Sequence, residues 1–288
     1  MKIKFLLFTL CFSLIIISCK NGPKTVKTVQ KEVKSAKIIQ EATDFRALLN
    51  DSPRHHEWKT LTSNGRELYT FIAYPEVAQY SKAVIVIHEN RGLDNWARYF
   101  VDQLASEGYV VLAPDLLSNF KENIKKTTDF ENSDKAREAV YALDDAKVTT
   151  DLDAVFEYAK SIKAATGEVA VVGFCWGGSQ TFRYATHNPD IISANVFYGT
   201  APEDNEALKQ IVAPIYGYYG GNDKRVNATI EETRTRMITY KKTYESVIYD
   251  GAGHAFMRRG AEADSDAANE VAYNKAWVRL LKKLKSAY

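Results

Sequence analysis

The chain has very little sulfur chemistry and very little net charge. Three cysteines in 288 residues are too few for a disulfide scaffold. Beyond residue 55 there is no repeat of fixed period and no Pro/Gly-rich linker, which excludes a solenoid or a string of small modules. No apolar run is long enough to cross a bilayer. The longest, from Phe5 to Ile17, would span only ~20 Å as a helix, against a hydrocarbon core of ~30 Å. Formal net charge is +2, which says little about an acidic partner until the charges are located. What is present is core material. The chain is 45% hydrophobic, with 17 Tyr and 13 Phe, so it is not a disordered chain and can fill one large domain.

The first residues read as an address. Lys2 and Lys4 precede the short apolar run, and Ile16-Ile17-Ser18-Cys19 closes it. A basic start, a short apolar stretch and a small residue make a secretory signal. The ending resembles a bacterial lipoprotein signal, in which the cysteine becomes lipidated and N-terminal, with Ile16 and Ser18 as relaxed matches. Several acyl chains on Cys19 would anchor the protein stably. Lys20 follows in place of the Asp that retains such proteins at the inner membrane, which points to the outer membrane, facing the periplasm. Residues 20–37 then carry six lysines against Glu32 alone and no large apolar side chain, which reads as a solvated tether. The expected division is a signal over 1–18, an anchored cysteine and tether over 19–50, and a catalytic domain over 51–288.

From His55 onward strand and helix patterns alternate, which predicts an α/β domain with a mostly parallel sheet and helices on both faces. Residues 58–75 read as a hairpin turning at Asn64-Gly65. Buried strands are expected at 83–88, 109–114, 168–174, 192–198, 213–220 and 245–251. Helices are expected at 94–106 (ended by Gly108), over a single long region 133–163, between the later strands, and at 269–284. Residues 117–132 read as an irregular excursion.

Chemistry gathers at strand ends. Gly173-Phe174-Cys175-Trp176-Gly177-Gly178 follows an apolar strand and opens a helix. That is the setting of a nucleophile elbow, G-x-S-x-G, with Cys in place of Ser. The turn crowds its neighbours, so Gly173 and Gly177 must lack side chains, and the helix N-terminus favours a thiolate at Cys175. An elbow predicts an acid and then a histidine further along the chain. His254, in a Gly-rich loop after the last strand, is better placed than His187. Asp223, after Gly220-Gly221-Asn222, is better placed than Asp250. His254 would take the thiol proton and Asp223 would orient its ring. The loop after the early strand, His88-Glu89-Asn90-Arg91-Gly92, should supply an oxyanion N–H from Asn90 to join that of Trp176. Glu89 would then lie beside Cys175, as a gate on the nucleophile or a substrate contact. A zinc site at His88-Glu89 lacks a second histidine one helical turn on. The His55-His56 pair reads as incidental. No metal or cofactor is expected.

GFCWGG, YYGGND, GAGHAFM and HENRGL, together with APDLL and KAWVRLLKKL, resemble the dienelactone hydrolase family of the α/β-hydrolase fold, over roughly 200 residues and in family order. The resemblance implies Cys175 as nucleophile, Asp223 and His254 as its partners, and Glu89 as the glutamate that switches the thiol on when substrate arrives. Members known best are cytosolic and bind a substrate carboxylate through arginines. Here Arg91, Arg258 and Arg259 are the nearby positive charges.

A thiolate leaves as readily as it attacks, so activated esters, enol lactones and thioesters suit it better than peptides. Trp176, Tyr198, Tyr218, Tyr219 and Phe256 suggest a partly apolar pocket for the acyl group. The expected function is a hydrolase of a small ester or lactone. An acyltransferase or thioesterase on the same residues, or a non-catalytic ligand-binding lipoprotein, are the alternatives. Charge location removes any nucleic-acid reading: from Ile38 onward the chain has 30 basic against 35 acidic residues, so the positive excess belongs to leader and tether. Oligomeric state is not legible.

Overall fold

Six of the seven residues from Ser81 to Ile87 are fully or almost fully buried, as a strand covered on both faces requires. This strand sits in the middle of the sheet in the computed structural model, which describes residues 43–287. The signal segment, Cys19 and the tether up to residue 42 lie outside the described residues.

The first helix, α1 (Phe45–Asn50), lies within the stretch read as tether, yet it buries Leu49 in the core. The hairpin of β1 (His56–Ser63) and β2 (Arg66–Ala73) turns at Asn64-Gly65 as expected. Both turn residues have positive φ, 46° and 74°, and Ser63 pairs with Arg66. Next come β3 (Ser81–Ile87), α2 (Asn95–Ser106) and β4 (Val110–Pro114). Asp94 caps α2 by accepting from the Ala97 N–H at 2.9 Å.

The expected helical region over 133–163 is divided into two helices, α3 (Ser133–Tyr141) and α4 (Asp145–Ser161). The break has a local cause. Asp144 turns its side chain onto the Lys147 N–H at 2.9 Å and caps a new helix instead of continuing the old one. Beyond it run β5 (Ala165–Phe174), α5 (Trp176–His187), β6 (Ser193–Phe197), the short α6 (Asn205–Lys209), β7 (Ile215–Gly220), α7 (Lys224–Asn227), α8 (Ile230–Thr239), β8 (Tyr244–Tyr249), α9 (Phe256–Arg259) and α10 (Ala267–Ser286).

The eight strands lie in the order β1-β2-β4-β3-β5-β6-β7-β8. Pairing is antiparallel from β1 to β4 and parallel from β4 to β8. Alternation along the strands builds one core on each face. Val84, Val86, Ala170, Val172 and Phe174 face α2 and α10. Ala83, Ile85, Ile87, Val169 and Val171 face α4 and α5. This is the α/β-hydrolase architecture.

One polar cluster ties the edge to the core. Asp102 of α2, almost wholly buried, bonds Ser52 Oγ at 2.6 Å, Arg54 Nε at 2.7 Å and His56 Nε2 at 2.8 Å. His56, read as incidental on sequence, therefore has a structural partner 46 residues away.

Candidate active site

The parallel strands end on one side of the sheet, and the loops that leave them build the site. β5 runs into Cys175, which caps α5 with φ 55° and ψ −117°. A positive φ at a residue with a Cβ is strained, and here it turns the sulfur out of the sheet. Two glycines make the turn possible. A Cβ on Gly173 would run into the Gly177 carbonyl, and one on Gly177 into the carbonyls of Ile87 and His88.

The loops after β7 and β8 are laced together. The Gly221 N–H donates to Tyr249 O at 2.7 Å, the Asn222 N–H to Ala252 O at 2.9 Å, and Asn222 Nδ2 to Gly251 O at 2.8 Å. This lacing sets Asp223 against His254. His254 Nδ1 is 2.5 Å from Asp223 Oδ2, and Nε2 is 3.1 Å from Cys175 Sγ. With Nδ1–H donating to the carboxylate, Nε2 is left as acceptor for the thiol proton. The other candidates fall elsewhere: Asp250 is exposed, and His187 pairs with Asp153 at 3.0 Å.

The loop after β3 closes the other side. His88 Nδ1 lies 2.7 Å from the Glu89 carbonyl. The His88 ring stacks on Trp176 with centroids 5.6 Å apart. Burial holds the His88 imidazole neutral, its pKa pulled down to about 4, so it acts as a fixed strut for the loop. The backbone N–H groups of Trp176 and Asn90 both reach the Cys175 sulfur.

Glu89 is buried beside the thiol. Its Oε1 accepts from Tyr198 Oη at 3.0 Å and its Oε2 from Arg258 Nε at 3.2 Å. Desolvation raises its pKa, while Arg258 pulls the other way. Burial, and then the Glu89 charge, push the Cys175 thiol up to about 11, so the resting sulfur carries its proton.

The cavity over Cys175 holds about 340 Å³. Its wall corrects the expected apolar pocket. Tyr218 and Tyr219 are core residues, their hydroxyls on Asn195 at 3.0 Å and Tyr244 at 2.9 Å. Phe256 is fully buried against Tyr198 and Tyr249, so its expected substrate contact becomes a packing role. Tyr198, also fully buried, touches Glu89 and not the cavity. Arg91, Arg258 and Arg259 do border the cavity, and so do Arg137, Tyr141 and Arg225, which sequence reasoning missed. Arg137 and Tyr141 lie on α3 and Arg225 on α7, where single side chains carry no motif.

Residues 68–288 match the model of the dienelactone hydrolase family. A protein of Saccharolobus solfataricus provisionally named a carboxymethylenebutenolidase is 31% identical over 249 residues, covering 76% of this chain and 93% of its own. A Bradyrhizobium protein provisionally named a 2-oxo-3-(5-oxofuran-2-ylidene)propanoate lactonase is 30% identical, covering 78% of this chain and 93% of its own. The crystal structure of a provisionally named dienelactone hydrolase from Klebsiella pneumoniae superposes with a TM-score of 0.70 and 27% identity, covering 81% of this chain and 99% of that one. By fold, by matched length and by the order of its motifs, the chain belongs to the dienelactone hydrolase family.

Proposed function

We propose that the protein hydrolyses a small acidic ester or lactone through an acyl-cysteine, with Cys175, His254 and Asp223 as the triad. The observation that carries this reading is the unbroken chain from Cys175 Sγ to His254 Nε2 at 3.1 Å and from His254 Nδ1 to Asp223 Oδ2 at 2.5 Å. The sulfur bonds to the acyl carbon and its proton passes to His254 Nε2. The imidazolium, steadied by Asp223, gives that proton to the departing oxygen. Water then attacks the thioester carbon, its proton goes to His254 and on to the sulfur, and the thiol is restored. The N–H groups of Trp176 and Asn90 bond the oxyanion in both halves.

Glu89 and Arg258 make the nucleophile conditional. At rest Glu89 opposes a thiolate, and Arg258 favours the charged form of Glu89 against the pull of burial. An acidic group on the substrate competes for Arg258. Without that cation the buried Glu89 takes up a proton, and a neutral Glu89 no longer opposes ionisation of Cys175. The arginines on the cavity wall and the oxo-acid lactone in the name of the Bradyrhizobium relative both favour an acidic substrate. The test is release of a chromogenic short-chain ester by the purified protein and by Cys175→Ala. Turnover is expected from the first alone, and equal rates would sink the reading.

The leader and Cys19 complete the proposal: an enzyme exported and lipid-anchored at the outer membrane, facing the periplasm.

A further inference from the structure

Ester hydrolysis leaves the charge of the cavity unexplained. Five arginines border it, Arg91, Arg137, Arg225, Arg258 and Arg259, against two carboxylates, Glu89 and Asp134. The domain as a whole runs the other way, with 30 basic and 35 acidic residues from Ile38 onward. An acidic domain that gathers cations around one small cavity has placed them locally, where they focus an attractive field on an anion. A neutral ester needs none of them.

Pairing sorts the five. Arg258 is held by Glu89 at 3.2 Å and Glu262 at 2.7 Å. Arg137 reaches Asp134 at 3.1 Å on its own helix. Among the described residues Arg91, Arg225 and Arg259 are in no ion pair, and all three are exposed at the cavity. Placement sorts them further. Arg91 leaves β3 and, like Arg258, acts on the carboxyl of Asp94. Arg225 leaves β7, two residues after Asp223, and acts on the Cys175 thiol. In the sheet β3 and β7 lie on opposite sides of β5, the strand that delivers Cys175. Arg91 and Arg225 therefore enter the cavity from loops on opposite sides of β5, while Arg258, which follows β8, reaches over to Glu89 of the β3 loop at 3.2 Å.

We propose that Arg225 forms a second anion-binding subsite, so that the substrate is a compact ester or lactone bearing two carboxylates, one on each side of the scissile acyl group. This rests on Cys175 being the nucleophile. One carboxylate can satisfy Arg258 and Arg91 together but leaves Arg225, across the sulfur, facing water. A second carboxylate there forms a charge-assisted bond and fixes the acyl group from both ends. At about 340 Å³ the cavity is at the small end of ligand sites, which suits a short diacid and excludes a long acyl chain.

The test uses the full chain with p-nitrophenyl acetate as reporter and glutarate, butyrate and inorganic phosphate as competitive inhibitors. Glutarate is expected to inhibit at least tenfold more tightly than butyrate. Arg225→Gln should erase that preference and Arg225→Lys should keep part of it. The ratio of two inhibitors on one variant cancels any change in thiol reactivity caused by the lost charge. Equal inhibition by glutarate and butyrate, or a preference that survives Arg225→Gln, would overturn the subsite. Tighter inhibition by phosphate than by glutarate would overturn the two-carboxylate substrate. No turnover by wild type of the reporter or of a lactone bearing a carboxylate would instead sink the hydrolase reading. The subsite would then be read by calorimetric titration of wild type, in which glutarate is expected to bind at least tenfold more tightly than butyrate, and equal affinity would refute it.

Discussion

Glu89 and Arg258 are 169 residues apart in the chain and form an ion pair beside the cavity, Oε2 to Nε 3.2 Å, next to Cys175. The pair explains how a thiol at a helix N-terminus can be inert at rest. Burial and Glu89 together outweigh the Trp176 and Asn90 N–H groups that favour the thiolate, and the thiol rises to about 11.

Alkylation reads this state directly. At pH 8 a thiol of that strength is about one part in a thousand ionised. The iodoacetamide rate at Cys175 should therefore climb about tenfold per pH unit between pH 7 and 10. Glu89→Gln removes one cause of the rise, so its curve should shift to lower pH and run several-fold faster at pH 8. A wild-type rate that is already flat at pH 7 would contradict the resting thiol.

The proposed triad predicts unequal losses. Cys175→Ala and His254→Ala should each lower kcat by about 10³-fold or more on a chromogenic ester, and the double variant by little beyond the worse single one. Asp223→Asn should cost on the order of 10³ to 10⁴, because the ring loses the acceptor that fixes its tautomer. Loss of KM alone, with kcat preserved, would assign these residues to binding.

The elbow predicts a steric failure. Gly177→Ala puts a methyl into the carbonyls of Ile87 and His88, which are backbone and cannot step aside. We expect a loss of about 3 kcal/mol or more in urea unfolding. Ala at Gly65, whose added Cβ meets nothing, should cost less, with only its positive φ opposing it.

Asp102 predicts a pH-dependent stability. Burial alone would raise its pKa, but the bonds from His56, Arg54 and Ser52 outweigh burial and hold it well below the usual carboxylate range. A depressed carboxylate contributes stability above its unfolded pKa of about 3.9 and loses it as pH falls towards the folded value. Asp102→Ala should cost about 3 kcal/mol at pH 7, since it strands Arg54 beside an apolar helix. The gap between variant and wild type, followed by urea unfolding, should narrow below pH 4. A constant gap would mean that packing and not charge supplies it.

The proposed lipoprotein leader predicts a covalent outcome. Cells making the full chain should incorporate labelled fatty acid into the protein, and cells making Cys19→Ala should not. Labelling unchanged in the variant would refute the anchor site.

The sequence alone determined whatever rests on near neighbours in the chain. The elbow was legible because Gly173, Cys175 and Gly177 must crowd one turn. The strands were legible because burial on both faces demands unbroken apolar runs, as in Ser81–Ile87. Asp223 and His254 were legible because each ends a strand with glycines around it. That the net positive charge lies within residues 1–37 needed only counting. Tertiary structure alone decided the rest. Nothing in the period of α3 or α7 says that Arg137, Tyr141 and Arg225 border one cavity, since that depends on where the sheet sends their helices. Phe256 looked like a pocket residue as one of five aromatics that suggested an acyl pocket, but α9 turns it into the core. The Glu89–Arg258 pair joins the loops that follow β3 and β8, although three strands separate these two in the sheet order. Local sterics and burial patterns are written along the chain. The charge that surrounds a cavity is a sum over loops, and only the fold performs it.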